Sequence, residues 1–220
     1  MPILVVPGAL AIAPGYEHAR NGLFDLYTTI GMLDRAAEQA TDRGQRAYVA
    51  ALNREALPPE PGETIYDGYA AQLTGDLATA HRIYKALVGQ WGVAGEEPMP
   101  QWASVYVAAM IPVFEEAGDP LAETLMAKLA DYVEQLGDGE WAVSAHLAAA
   151  SLAALQGDDD AAVAHLSGYA ATGYGGRLNV ERDEVFASLH DRADFHEVIA
   201  RLEADDAEDR AAILRLSSED

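Results

Sequence analysis

Six histidines, a run of three aspartates, a glycine-rich tetrad and scattered serines are the residues with which this 220-residue chain could do chemistry. A helical zinc site needs two histidines four residues apart and a third ligand. His18, His81, His146, His165, His190 and His196 contain no such pair. His146 and His165 fall on two segments expected to be neighbouring helices, but they lack a third ligand and read as surface or groove histidines. His190 and His196, beside Asp191 and Asp194, read as a solvated turn between helices. Asp158-Asp159-Asp160 has the composition of a metal or diphosphate site. Its place at a helix start gives a better reason for it, because negative charge is favoured at the positive end of the helix dipole. Gly173-Tyr174-Gly175-Gly176 follows no strand and precedes no Lys-Ser/Thr, which argues against a phosphate loop. Ser104, Ser144, Ser151 and Ser167 carry no nucleophile elbow. Ser144 lies close to His146 in sequence, yet on a helix the two side chains diverge by about 200°. No catalytic residue, metal site or cofactor is assigned, and the first reading is of a chain that is not an enzyme.

The aromatic residues offer binding rather than reaction. Tyr66, Tyr69, Tyr84, Trp91, Trp102 and Tyr106 gather in one stretch. Packing between helices is the default use of such rings, since they dominate burial energetics. Anchors in a binding groove are the alternative.

The elements that must position these residues are helices. Half of the chain is hydrophobic, alanine dominates that half, and alanine has the best helix propensity. The alternation of Val, Ile and Thr typical of strands is nearly absent. A net charge of -22 argues against nucleic acid and anionic membranes as partners. It accommodates a basic partner, although acidic surfaces mostly serve solubility. There is no cysteine, which removes disulfides and thiolate chemistry. The apolar start, residues 1–10, is broken by Pro2 and Pro7 and has no basic residue before it, unlike a signal peptide. No stretch is long and apolar enough to predict a membrane span.

A repeated mark punctuates the helical segments. Glycine followed by a helix-starting residue recurs at Gly44-Gln45, Gly75-Asp76, Gly118-Asp119 and Gly157-Asp158. Glycine closes one helix in the left-handed conformation and Asp caps the next. The pattern predicts one or two helices over 22–43, a helix over 45–57 stopped by Pro58-Pro59, and a loop over 58–63. Pairs are expected at 64–74 with 77–91, 101–117 with 120–136, and 140–156 with 159–171. Pro112 is expected to kink or break its helix. Three short helices, 182–190, 193–203 and 207–216, are expected to cap the stack, with a fraying acidic end.

Gly68, Gly75, Asp76, Ala80 and Tyr84 stand at the offsets of a tetratricopeptide (TPR) unit, and Ala150, Gly157, Asp158, Ala162 and Leu166 repeat most of that pattern. The chain thus resembles TPR-like helical repeat proteins with divergent repeats. Glu123 and Val49 replace the small residue in the other two pairs. Phe186, Leu189, Asp194, Phe195 and Leu202 resemble the capping segment that follows bacterial TPR arrays. The resemblance implies an all-α, right-handed superhelical stack of antiparallel helix pairs. It would comprise an apolar segment over 1–20, repeats over 21–175, and capping helices with an acidic tail over 176–220. It implies a concave groove lined by Asp34, Glu38, Tyr69, Gln72, Glu115, Ser144 and Ser151, holding a protein or peptide partner, a basic one included. The leading expectation is an interaction scaffold or regulatory docking domain with no cofactor, no nucleic acid and no membrane insertion. The alternative is a helical enzyme or small-molecule binder with its pocket in the concavity. Homo-oligomerisation through the apolar start is a third option. The compartment stays open, with the cytoplasm favoured over the periplasm or secretion.

Overall fold

The computed structural model describes residues 17–57, 62–136 and 143–216. The expectations for the apolar start, for most of the 58–63 loop and for the acidic end beyond Leu216 lie outside these residues. Every regular element among the described residues is helical. The helices are α1 (Glu17–Thr29), α2 (Leu33–Gln39), α3 (Arg43–Leu52), α4 (Ile65–Leu73), α5 (Leu77–Trp91), α6 (Ser104–Glu116), α7 (Leu121–Leu136), α8 (Val143–Leu155), α9 (Asp159–Ala171), α10 (Arg177–Glu181) and α11 (Ala193–Leu216). Short 3-10 turns cover Gln101–Ala103 and Glu184–Leu189. No described helix is long and apolar enough to cross a membrane.

Three of the four glycine marks are turns of one geometry. Gly75, Gly118 and Gly157 have φ of +80°, +63° and +75°. In each, the N–H of the following aspartate donates to the carbonyl five residues back: Asp76 to Ala71, Asp119 to Phe114 and Asp158 to Ala153, all at 2.9 Å. This double turn satisfies the last carbonyls of one helix. The aspartates then cap the next helix, as Asp76 accepts from Thr79 N at 3.1 Å and Asp158 from Ala161 N at 3.0 Å. Asp159 and Asp160 of the acidic run accept from Ser188 Oγ and Arg192. Asp119 does more: His81 Nε2 (2.9 Å), Lys85 Nζ (2.6 Å) and Leu121 N (3.1 Å) all meet its carboxylate. Lys85, the Leu121 amide and His81 hold that carboxyl down at about 2.

Gly44 departs from the expected turn. It lies inside α3, buried, and a Cβ there would collide with Thr64 Oγ1 and the Asp67 carboxylate. The helix start is set instead by Asp42, whose side chain accepts from Gln45 N at 2.9 Å. Glycine is therefore needed for close approach to the capping box of α4, in which Thr64 and Asp67 bond reciprocally. Likewise α3 stops at Leu52, well before the prolines, with Arg54 at φ +59°. Pro112 is accommodated within a continuous α6.

Among the described residues the core is built in four clusters, the smallest being Ala47, Ala51 and Ala70 between α3 and α4. α4 to α7 enclose the largest, around Tyr84, Phe114, Leu125 and Leu129. α8 and α9 share a second with Phe186, Phe195 and Leu202 from the C-terminal region. α1 to α3 form the third, and Ile213 near the end of α11 joins it. The tail is thus one 24-residue helix rather than the two expected after His190. At 1.5 Å per residue it spans about 36 Å, so its start packs on α9 while its end reaches α1. Arg210 Nη1 donates to Ile30 O at 2.7 Å, and Arg182 Nη1 to Leu52 O at 3.2 Å. α10 also packs on α1. The two ends of the described chain therefore meet.

Candidate functional site

A cavity of about 360 Å³ lies where the two ends of the described chain meet. α1 contributes Phe24, Asp25, Thr28 and Thr29, α3 contributes Tyr48 and Leu52, and α4 contributes Tyr66, Tyr69, Gln72 and Leu73. The opposite wall comes from Val105, Tyr106 and Ala109 of α6 and Leu147 and Ser151 of α8. Tyr174, Leu178, Asn179 and the run Arg182–Glu184 complete it from the C-terminal side.

The local sequence explains how the walls approach so closely. Gly68 of α4 faces Tyr84 of α5, and any Cβ there would enter the tyrosine ring. Tyr84 is fully buried and donates to Gln72 Oε1 at 2.7 Å, while Gln72 Nε2 donates to Ala109 O at 3.1 Å. Gln72 is thereby locked between α5 and α6, its amide orientation set by one acceptor and one donor role. The Gly173–Gly176 loop is held from the far side. Asp206, buried within α11, accepts from Gly176 N at 2.7 Å and Arg177 N at 3.0 Å. The amides at the start of α10 are therefore occupied by the chain's own carboxylate. Burial still pushes the Asp206 carboxyl up, against the pull of those two amides.

Aromatic rings form a continuous run into the cavity. Trp91 and Trp102 meet edge-on at 5.2 Å between centroids, and each lies within 6.5 Å of Tyr106. Tyr106 stacks with Tyr69 at 6.4 Å; Tyr69 meets Tyr48 at 5.7 Å, and Tyr48 meets Tyr66 at 5.7 Å. Tyr66 ends the run edge-on to Phe24 at 5.3 Å. The outer ring, Trp102, is 52% exposed, and Tyr174 on the cavity wall is 55% exposed. Burial raises the phenols of Tyr48, Tyr66, Tyr69 and Tyr106 far from neutrality, so all remain protonated donors.

Carboxylates complete the site. Asp25 Oδ1 accepts from Tyr66 OH at 2.7 Å. Asp183 Oδ1 accepts from Val185 N at 3.0 Å, capping the second 3-10 turn. Burial pushes the Asp25 carboxyl up and the Asp183 carboxyl up to about 6; the adjacent Glu184 charge adds to the second effect. The negative charge of Asp183 is felt by Tyr48, Tyr69 and Tyr84, and that of Asp25 by Tyr48, Tyr66 and Tyr106. Two carboxylates thus address one tyrosine wall.

Of the groove residues expected from sequence, Tyr69, Gln72 and Ser151 line this cavity. Ser151 is turned to its own helix, donating to Leu147 O at 2.9 Å. Asp34 and Glu38 are exposed on α2, Glu115 is exposed near the end of α6, and Ser144 accepts from Gln101 Nε2 at 3.0 Å; none of these four borders the cavity. The aromatic stretch does come together, with Tyr48 joining it. Sequence reasoning missed Asp25, Tyr48, Asn179, Arg182 and Asp183. Tyr48 carried a usable signal, an aromatic on a helix next to the cluster; the other four are placed only by closure of the ends. His146 and His165 stand 6.5 Å apart between ring centroids. Among the described residues no group of three or more His, Asp or Glu is placed to hold a metal ion. No family model, curated protein or solved structure matches the chain.

Proposed function

We propose that this chain is a binding protein, a divergent TPR-like stack whose C-terminal segment closes the concavity into a pocket for a compact ligand. The observation that carries this reading is convergence. Polar groups and tyrosines from six helices and the 182–184 run border one cavity of about 360 Å³, within the ~300–1,000 Å³ usual for small-molecule sites. The likeness of α4–α5 and α8–α9 supports the TPR-like part, since Gly68 packs on Tyr84, and Ala150, Ala162 and Leu166 are fully buried as that pattern requires.

The scaffold reading, with a protein or peptide partner, is favoured by a separate observation. The aromatic run continues from the cavity to exposed Trp102, and exposed aromatics are frequent interface anchors. The two readings join if a partner inserts one side chain into the cavity.

A thermal-shift screen of compact ligands of varied charge tests the pocket. Asn179→Trp places a large side chain in the cavity wall. A ligand that raises the Tm of the wild type and leaves Asn179→Trp unchanged is the expected result. Equal shifts in both proteins would place binding elsewhere and overturn the proposal.

A further inference from the structure

We propose that the cavity recognises an organic ammonium cation, held between the carboxylates of Asp25 and Asp183 and the tyrosine rings that border them. This inference rests on the pocket reading above and names its ligand chemistry.

The charge count around the cavity is one-sided. Asp25, Asp183 and Glu184 are acidic; Arg182 is the one basic side chain among the lining residues. Arg182 does not neutralise them. Its guanidinium donates to Leu52 O, and none of the three carboxylates has an ion-pair partner among the described residues. Asp25 and Asp183 each commit one oxygen, to Tyr66 OH and Val185 N. The second oxygen of each has no hydrogen bond among the described residues.

Such an arrangement costs stability unless something positive enters. Asp183 is half-buried and Asp25 stands on the exposed rim of the cavity; desolvation disfavours the charged form, and the upward displacement of both carboxyls expresses that cost. An ammonium group restores the lost solvation through Coulombic attraction and N–H donors. The walls suit the rest of such a ligand. Tyr48, Tyr66, Tyr69 and Tyr106 stay neutral and offer aromatic surface, and the negative face of such rings attracts cations. An anionic ligand would meet three carboxylates, and a neutral one would leave the two free oxygens desolvated and unpaired.

The shared chemistry, a primary ammonium on a short alkyl chain, has two sources: a free amine or a lysine side chain on a partner. Calorimetry at pH 7.5 distinguishes them. The probes are n-butylammonium, spermidine, an acetylated and amidated peptide with a single lysine, and the controls 1-butanol and butanoate. Butylammonium is expected to bind at least about tenfold more tightly than either control. The tighter of spermidine and the lysine peptide then assigns the source.

Asp183→Asn keeps an oxygen to cap Val185 N and removes a half-buried charge. It is expected to weaken butylammonium about tenfold or more while leaving the Tm at pH 7.5 unchanged or higher, which separates lost recognition from lost folding. Asp25→Asn should weaken it similarly. Lowering the pH from 7.5 to 5 should also weaken binding, because Asp183 takes up its proton near 6. Among the groups facing it, burial holds the phenols of Tyr48, Tyr69 and Tyr84 far above that interval, and Arg182 and Glu184 are its neighbours along the chain.

Butanol or butanoate binding as well as butylammonium, with the binding blocked by Asn179→Trp, would overturn the cation and leave the pocket. Failure of every probe would overturn both. Unchanged affinity in Asp183→Asn and Asp25→Asn would overturn the assigned residues.

Discussion

At the residue scale the most informative group is Asp183, because its environment opposes its charge. The carboxyl is pushed up to about 6 from an ordinary 3.8. The folded chain therefore binds more protons than the unfolded chain between those two values. Stability attributable to this residue is highest below about 4 and falls as the pH rises through about 6. Asp183 is half-buried, so solvent screens its charge in part, and about 1–2 kcal/mol is expected. Urea denaturation of wild type and Asp183→Asn across pH 4–7.5 measures it: the two proteins should converge at low pH and separate near neutrality with the variant the more stable. A variant less stable at pH 7.5 would contradict this. Asp119 has the opposite linkage. Its carboxyl is held near 2 by Lys85, the Leu121 amide and His81, so its contribution is present above about 4 and is lost only as the pH falls through about 2.

At the scale of elements, local chemistry was legible and long-range chemistry was not. The Gly-Asp turns at 75, 118 and 157 are written in two adjacent residues, because the left-handed glycine and the capping aspartate are both local requirements. Gly44, followed by Gln45, is glycine for a different reason, the close approach of Thr64 and Asp67 some twenty residues on. Asp205-Asp206 reads as a break between two helices for a similar cause. Asp206 has its partners 30 and 29 positions back, at Gly176 and Arg177, and α11 runs through it unbroken. A helix interior tolerates a buried aspartate there because those two amides receive it. Asp206→Ala strands the Gly176 and Arg177 amides and is expected to cost about 1–3 kcal/mol in chemical denaturation, slightly offset by the better helix propensity of alanine. An unchanged midpoint would mean that the Gly173–Gly176 loop is held by other contacts.

At the scale of the whole molecule, the proposed function depends on closure. The sequence indicated an all-helical stack with a concave side, and Tyr69, Gln72 and Ser151 were placed on that side from the repeat pattern alone. It could not indicate that Arg210 reaches Ile30, 180 positions away, or that Ile213 completes a core begun by Leu23 and Phe24. Those contacts bring Asn179, Arg182 and Asp183 into the lining of the same cavity as Tyr48 and Tyr69. The most direct test of this account is an NMR titration of the assigned tyrosine ring resonances with butylammonium at pH 7.5. Tyr48, Tyr69 and Tyr106 should shift together along one saturation curve, while Tyr132 on α7, away from the cavity, stays fixed. Shifts confined to Tyr132, or scattered without a common midpoint, would contradict the central pocket.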